Sequence, residues 1–515
     1  MEPEPLAAFH ATYLAYLNCQ IMTTHPADPS RLPNLRRMLL ALLLCAGLAA
    51  CNTMPPEPPV KLNVPDAFAE SQGWAPARPQ DAAPRGAWWQ VYNDPVLDQL
   101  EQQVAQANQS LQAALAAYDQ ATALTAASRA QFYPTLGASL SASRSKNGSL
   151  ASSGQTGFQS ETGNTFSAGL TANWVPDLWG QVRQQVAASE ASAQASAATL
   201  QSTQLSLQAT LAQTYLQLRV TDAQIRLAGQ TVAAYHKALQ LTENRYRAGV
   251  VSAADVALAR TQLLGAQVTY TDLGVTRAQQ QHAIAVLVGV PPSQFNLAAL
   301  DMSPAVPEIP AGVPAQLLQR RPDLAAAERK VAQANAQIGV AQAAWFPALT
   351  LSGQTGSRVS HLADLFSAPS LFWSLGPTLA VTLFDAGARS AQVASAEAGY
   401  RQTVANYRQT VLTAFQQAED NLAAQRILTD EAALQRQTVQ AAETSLRLAE
   451  NQYKAGTVPY LNVISAQATA SAAQNAELGL LGRRLTASVL LIQALGGGWG
   501  GDTPPALGSA PVRSE

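Results

Sequence analysis

An internal repeat constrains this fold more than any other feature of the sequence. Residues 243–249 read ENRYRAG and residues 450–456 read ENQYKAG, which places the two segments 207 positions apart. Gly180 and Gly387 have the same separation. A repeat of this size indicates two copies of one structural unit within the chain. Each copy is predicted to contain a helix, two strands, a very long helix, a turn and a further helix.

Each copy includes a segment that is long enough for an extended helix. Residues 177–247 contain no proline, and residues 385–454 repeat that length. At roughly 1.5 Å per residue, about 70 helical residues extend ~105 Å. Apolar residues recur at coiled-coil spacing, which predicts that the helices pack side by side. Gly249 and Gly456 follow the last helical turns, where glycine commonly ends a helix. The sequence therefore predicts two helical hairpins.

Four segments alternate between apolar and polar residues, as β-strands with two different faces do. The pattern is clear in residues 165–174 and 373–383 and weaker in residues 135–144 and 347–357. Apolar faces with aromatic ends are typical of transmembrane β-strands. A half-buried sheet in a soluble domain would show the same alternation and is the alternative. The aromatic residues near the ends of the segments are Phe132, Tyr133, Trp174, Trp345, Phe346, Phe372 and Phe384.

The number of strands predicts an oligomer. Four strands cannot close a transmembrane barrel, which usually needs at least about eight. An open sheet edge in lipid would leave backbone groups unpaired. Two copies of the chain would supply eight strands, with little room for a lumen, whereas three copies would supply twelve. We therefore expect a trimer.

The low charge of the chain excludes other classes of protein. Lys plus Arg total 32 and Asp plus Glu total 34, so the net charge is −2, and charged residues make up 13%. A nucleic-acid-binding protein needs a basic surface that this balance does not supply. The long apolar run at residues 38–50 is shorter than the ~20 residues of a membrane-spanning helix. A membrane-spanning form of this chain would therefore use β-strands.

The N-terminus has the pattern of a secretory leader, with arginines before an apolar run and small residues after it. The sequence LAAC at residues 48–51 resembles a bacterial lipobox. This resemblance implies cleavage before Cys51 and lipidation of its thiol. An ordinary signal peptide followed by an unrelated cysteine is the alternative. Asn52 replaces the aspartate that often retains lipoproteins at the inner membrane, so we expect anchoring in the outer membrane.

These features divide the chain into six segments. Residues 1–21 have no role in the leader pattern, so Met22 or Met38 is an alternative start of translation. The predicted segments are a signal peptide (1–50), a lipidated N-terminal segment (51–90), repeat 1 (91–289), a linker (290–313), repeat 2 (314–496) and a C-terminal tail (497–515).

Four motifs resemble those of one protein family in their order and spacing. They are WWQVYNDPVL at residues 88–97, DLWGQVR at 177–183, RPDLAAAE at 321–328 and WFP at 345–347. On these motifs the chain resembles the TolC/OprM outer-membrane efflux family, specifically its lipoprotein, NodT-type branch. The resemblance covers nearly the whole chain after Cys51.

The resemblance implies a mainly α fold with transmembrane β-strands. It predicts a trimeric channel-tunnel, in which a twelve-stranded β-barrel, four strands from each chain, sits on a long periplasmic α-helical barrel. It also implies a periplasmic adaptor and an inner-membrane pump of the resistance-nodulation-division (RND) class as partners. Substrates such as drugs or other toxic compounds would then cross the outer membrane passively.

Gate residues are carried over from the family at the periplasmic end. Tyr453 matches a gate tyrosine and Asp255 matches its acidic partner, so a contact between them is predicted, with Lys454 nearby. Capping of a helix start is the alternative role of Asp255. Asn462 and Ser465 stand where the family has aspartates, which argues against strong cation binding there.

The hairpin tips are the predicted adaptor contacts. Their glycines would also end the helices, and the two roles are compatible. The tip residues are Ala248, Gly249, Val250, Ala455, Gly456 and Thr457.

Two other functions are less consistent with the sequence. An enzyme is disfavoured because His236, His282 and His361 are far apart and show no metal-ligand spacing. We therefore expect no enzymatic activity, cofactor or metal. A lipid-anchored periplasmic coiled-coil scaffold without a channel would explain the helices and Cys51. It would not explain the four alternating strands.

Overall fold

The computed structural model describes residues 86–149, 159–300, 304–307 and 321–497. The predicted signal peptide, Cys51, part of the linker and the tail after Gly497 lie outside these residues. The described part contains seven α-helices and four β-strands. In chain order they are α1 (Pro95–Ala107), α2 (Gln109–Ala130), β1 (Thr135–Ser149), β2 (Gln159–Trp174), α3 (Gln181–Arg247), α4 (Ala253–Leu287), α5 (Pro322–Ala343), β3 (Ala348–Val359), β4 (Leu371–Ala380), α6 (Ala388–Lys454) and α7 (Tyr460–Ala494).

The internal repeat is confirmed in the lengths of the helices. α3 and α6 each contain 67 residues, and α4 and α7 each contain 35 residues. The starts and ends of both pairs are displaced by the same 207 positions. The two helical hairpins are therefore copies of one another in length. Within the described ranges, each helix is too short or too polar to cross a lipid bilayer.

The long helices begin in the same way in both copies. Gly180 and Gly387 precede them with φ values of 82° and 89°, which only glycine adopts readily. An aspartate then accepts hydrogen bonds from free backbone N–H groups of the first turn. Asp177 caps Val182 and Arg183, and Asp385 caps Arg389. These caps fix the point at which each strand gives way to a helix.

The helices pack around the long helix α3. It contacts α2, α4, α5 and α7, and α5 also contacts α6. The main apolar core forms where α1, α3, α4 and α7 meet, and it includes Leu97, Tyr215, Ile284, Leu485 and Ile492. The buried Tyr215 hydroxyl donates a hydrogen bond of 2.6 Å to Asp94, the N-cap of α1. The repeats are thus joined by one shared core.

The linker after α4 is held by a buried charged group on the helices. Asp222 accepts hydrogen bonds from Arg219 at 3.2 Å and from Arg277 at 2.6 Å. The same arginines donate to the carbonyl oxygens of Ala298 and Leu297. The buried carboxylate of Asp222 is therefore paired with two arginines that also hold the linker backbone.

The four strands form one antiparallel sheet in the order β1-β2-β3-β4. β1 and β2 extend beyond the predicted segments at their hairpin ends, to Ser149 and from Gln159. The prediction that β4 reaches residue 383 is wrong, because the strand ends at Ala380. Ala380 pairs with Ala348, the first residue of β3, so no partner residue of β3 remains for residues 381–383.

Candidate functional site

The two faces of the sheet differ in polarity, as the alternation predicts. Directly paired residues share a face, so the register assigns each side chain to one side. One face carries Leu136, Leu140, Trp373 and Leu375, which are 76–83% exposed. An extended apolar face of this kind is suited to lipid contact.

The opposite face carries small polar side chains. Ser141 and Ser167 face each other across β1 and β2 with their hydroxyl oxygens 2.7 Å apart. Phe372 also lies on this polar face, because it pairs with Gly356, which in turn pairs with Gly169. Among the aromatic residues near the strand ends, Phe372 therefore lies on the side opposite to Trp373. The polar face has the composition of a pore wall.

Aromatic side chains join the two repeats where strands meet helices. The rings of Trp179 and Phe346 stack with centroids 5.1 Å apart. The Trp179 indole N–H donates to the Pro347 carbonyl oxygen at 2.6 Å. Arg389 lies 4.8 Å from the centre of the Trp345 ring. These contacts hold both strand pairs at a fixed level above the helices.

Both hairpin tips have the predicted glycine turn. Gly249 and Gly456 have φ values of 72° and 79°. Val250 and Thr457 each donate a backbone hydrogen bond back to the residue five positions earlier, which defines a Schellman motif. All six predicted adaptor-contact residues are exposed: Ala248, Gly249, Val250, Ala455, Gly456 and Thr457. The tip residues therefore end the helices and are also accessible to a partner protein.

Tyr453 is buried in an apolar cluster behind the tips. We define the tip cluster as Ala259, Tyr453, Tyr460, Val463 and Ile464. The Tyr453 and Tyr460 rings lie 5.2 Å apart, and the Arg245 guanidinium lies 4.5 Å from the Tyr453 ring centre. The tip cluster therefore joins the first hairpin to the second within one chain.

Tyr460 has a polar contact with the first hairpin. Its hydroxyl lies near the hydroxyl of Thr242, a fully buried residue of α3 that donates to the Ala238 carbonyl oxygen at 2.9 Å. Burial raises the pKa of Tyr460 above its usual range, against the lowering effect of the nearby Thr242 hydroxyl. The Tyr460 side chain thus stays neutral and bridges α7 to α3.

In the part of the chain that the structure describes, no hydrogen bond joins Tyr453 to Asp255, and the predicted contact between them stays a prediction. Asp255 forms a capping box with Ser252, in which its carboxylate accepts from the Ser252 backbone N–H at 2.9 Å and hydroxyl at 2.8 Å. Among the described residues, the Tyr453 hydroxyl is buried without a hydrogen-bond partner. Asp255 has the alternative role that the sequence left open, because its carboxylate is occupied at the start of α4.

The other predicted gate residues lie apart from the tip cluster. Lys454, Asn462 and Ser465 are exposed, whereas Val463 and Ile464 beside them are buried. Asn462 and Ser465 are three positions apart on α7, so they share one exposed helix face.

Sequence reasoning missed Arg245, Thr242 and Tyr460. The sequence contained a signal for these residues, because the two copies of the internal repeat differ at their positions. Arg245 corresponds to Gln452 and Tyr460 corresponds to Ala253 at the offset of 207. Residues that depart from an internal repeat are candidates for contacts that exist only once in the chain.

The family model described as outer membrane efflux protein matches residues 100–290 and 313–497. The chain belongs to this family. The two matched stretches correspond to the two copies of the repeat, each with its own strand pair. As an outer membrane efflux protein, the chain has a transport function, and its mainly helical fold with a four-stranded sheet agrees with the predicted fold class.

Individual relatives support this assignment. A probable efflux pump outer membrane protein, TtgC of Pseudomonas putida, is 33% identical over 93% of this chain and 99% of the relative. The pyoverdine export outer membrane protein OpmQ of Pseudomonas aeruginosa is 34% identical over 89% of this chain and 96% of the relative. The solved outer-membrane channel OprN matches with a TM-score of 0.79 at 28% identity, over 87% of this chain and 99% of that channel. The prediction of an outer-membrane efflux function is confirmed.

Proposed function

We propose that three copies of this chain form the passive exit duct of a tripartite efflux pump. The observation that carries the proposal is the open sheet, in which β1 and β4 are edges and one face is apolar and exposed. An unpaired edge in lipid is costly, since its N–H and C=O groups have no partner. Pairing β4 of one copy with β1 of the next satisfies both edges.

The polar face supports a water-filled lumen. Twelve strands enclose a wider barrel than eight, and eight leave space for little more than side chains. The small residues of the polar face, such as Ser141 and Ser167, would then line the pore. Outer-membrane lipid would surround the apolar face, and lipidation of Cys51 would add a second attachment to the membrane.

The long helices would extend from the membrane into the periplasm. A helix of 67 residues spans about 100 Å. The two hairpin tips at its far end would contact a periplasmic adaptor, which links the duct to an inner-membrane pump of the RND class. The pump would supply the energy, and toxic organic compounds would leave through the duct by diffusion.

The resting gate would rely on packing and neutral hydrogen bonds more than on charge. Tyr453 lies in the tip cluster, and Asp255 orders the start of α4 beside it. Asn462 and Ser465 are exposed and uncharged residues of α7. Opening would require the second hairpin to move away from the first, which separates Tyr460 from Thr242.

Paired charge substitutions on the two faces of β4 test the proposal. Leu375→Arg places a charge on the lipid-facing side, at a cost of about 2–4 kcal/mol in each copy. Ser374→Arg places the same charge on the pore side. We expect Leu375→Arg to lose both the trimer band on unheated gels, a band that heating abolishes, and the ion conductance in planar bilayers. Ser374→Arg should keep the trimer band and the conductance. Equal assembly of the two variants would contradict a membrane-spanning trimer.

A further inference from the structure

The polar face of the sheet contains one charged side chain in its part between Trp174 and Gly163 of β2. This side chain is Arg358, which pairs with Ser167 of β2. The register places a further charged residue, Glu161, on the same face only at the hairpin end of β2, opposite Asn147. Glu161 lies thirteen residues from Trp174, roughly 33 Å above that level and beyond an apolar band of about 25 Å. The other side chains described on the face are uncharged. They are Thr135, Ser139, Ser141, Ser143, Ser145, Thr165, Ser167, Thr171, Asn173, Thr350, Ser352, Gln354, Phe372, Ser374 and Thr378. The charged residues Arg144 and Lys146 of β1 lie on the opposite, apolar side of the register.

Arg358 is supported by an aromatic ring on the same face. Its guanidinium carbon lies 6.0 Å from the centre of the Phe372 ring, at the outer limit of a cation–π contact. No carboxylate of the described residues lies within ion-pair distance of this guanidinium. The Phe372 ring therefore orients the Arg358 guanidinium. Because the ring is uncharged, it does not neutralise the positive charge.

Two glycines leave space for this arrangement. Phe372 pairs with Gly356, and Gly356 pairs with Gly169. A Cβ atom on Gly356 would lie 2.4 Å from the Ala168 carbonyl oxygen, so the strands approach too closely for any side chain there. The polar face of the sheet is thus flat between Phe372 and β2. Arg358 is the largest polar group that projects from this part of the face.

The register also gives the depth of Arg358 in the sheet. Ser167, its partner, lies seven residues along β2 from Trp174 at the helix-proximal end. At ~3.3 Å per residue and a tilt of about 40°, this is roughly 18 Å above the Trp174 level, within an apolar band of about 25 Å. Arg358 would therefore lie in the outer part of the membrane span.

We infer that Arg358 from three copies forms a cationic ring that favours anions in the outer part of the pore. The inference rests on the proposed trimeric duct and adds a specificity-determining residue to it. Rings of arginine or lysine are a general means of anion selection in pores. At the periplasmic end, the predicted gate residues Asn462 and Ser465 carry no carboxylate that would favour cations. The favoured solutes are those with a carboxylate, phosphate or sulfonate group.

Ion selectivity in planar bilayers tests this inference. The reversal potential of the full-length protein is measured in a KCl gradient and converted to a permeability ratio of chloride to potassium. We expect Arg358→Gln to lower this ratio at least about twofold, and Arg358→Lys to preserve it, because a ring of like charge sets the selectivity. Lys146→Gln removes the same charge from the other side of the sheet and should leave the ratio unchanged.

A second measurement distinguishes charge from shape. In Arg358→Cys, a positively charged thiol reagent should restore chloride preference, and a negatively charged reagent of similar size should lower it further. An unchanged ratio in Arg358→Gln, or equal effects of the two reagents, would overturn the inference while the proposed duct stands. The resting gate can keep the wild-type protein closed, so Arg245→Gln, which removes the contact between Arg245 and the Tyr453 ring, is measured beside it. Absence of ion conduction in both proteins after insertion into the bilayer would overturn the proposed duct and this inference with it.

Discussion

The Arg245 guanidinium lies 4.5 Å from the centre of the Tyr453 ring, and this contact joins the end of α3 to the end of α6. The Tyr453 hydroxyl has no hydrogen-bond partner among the described residues, so packing and the arginine hold the ring. A partly desolvated cation–π contact contributes on the order of 0.5–2 kcal/mol. The contact is therefore strong enough to bias a closed state without fixing it.

Removing this charge should loosen the resting tips. We expect Arg245→Gln to raise the open fraction of single channels several-fold, because ~1 kcal/mol changes an equilibrium about fivefold. It should also admit large antibiotics that an intact outer membrane excludes. Arg247→Gln is the matched control, since Arg247 is exposed and its hydrogen bond among the described residues is to Asn244 within its own helix turn. Equal entry of antibiotics in the two variants would contradict a role of Arg245 in the gate.

Gly356 should be intolerant of any side chain. The Cβ of Gly356→Ala would approach the Ala168 carbonyl oxygen to 2.4 Å, so β2 and β3 would have to separate. Overpacking of this kind typically costs about 1–3 kcal/mol. We expect a clear loss of folded protein from the outer membrane, measured as the amount of trimer on unheated gels.

Gly376→Ala provides the control for this variant, because its Cβ would meet no atom within 4 Å. Gly376 lies on the same face of the neighbouring strand β4. Similar yields of the two variants would show that the sheet relaxes at Gly356 and that the close approach is not essential.

Glu101 should make the stability of the protein depend on pH. The side chain of Glu101 in α1 is fully buried, and neither carboxyl oxygen has a hydrogen-bond partner among the described residues. Burial raises the pKa of Glu101 from its ordinary value of 4.5 to about 9, and the charge of Asp98 adds to the rise. The folded protein therefore binds a proton that the unfolded chain releases above pH ~4.5.

The stability of the protein should fall as the pH rises, because the folded state keeps the Glu101 proton that the unfolded chain releases. The contribution of Glu101 to stability is complete below pH ~4.5, declines as the pH rises and is lost above pH ~9, with a loss on the order of 3 kcal/mol at pH 7. We expect Glu101→Gln to raise the midpoint of thermal unfolding at pH 8 more than at pH 5. Glu190→Gln, at an exposed glutamate paired with Arg129, should show no such trend. A pH-independent effect of Glu101→Gln would contradict the buried, protonated state.

The sequence predicted those parts of the fold that depend on local pattern. Helix lengths and tip glycines follow from periodicity and from the left-handed turns at Gly249 and Gly456. The end of β4 was not predictable in this way, because Ala380 is the last residue with a partner on another strand. Strand alternation alone does not show where pairing stops.

The tip contacts were the least predictable part of the candidate site. Tyr453 was identified by its resemblance to a family position, but its neighbours come from three other helices. Asp255 has a partner three residues away, which a local capping pattern explains better than a contact between hairpins. Contacts between distant segments depend on packing that no short motif encodes.

The equal lengths of the two hairpins restrict how this chain can change in evolution. Both long helices contain 67 residues between the strands and the tips, so both tips end at the same distance from the strands. Lengthening one hairpin by a heptad in each arm would displace its tip by roughly 10 Å relative to the other. Insertions and deletions are therefore tolerable only when they occur in matched pairs, one in each half of the gene.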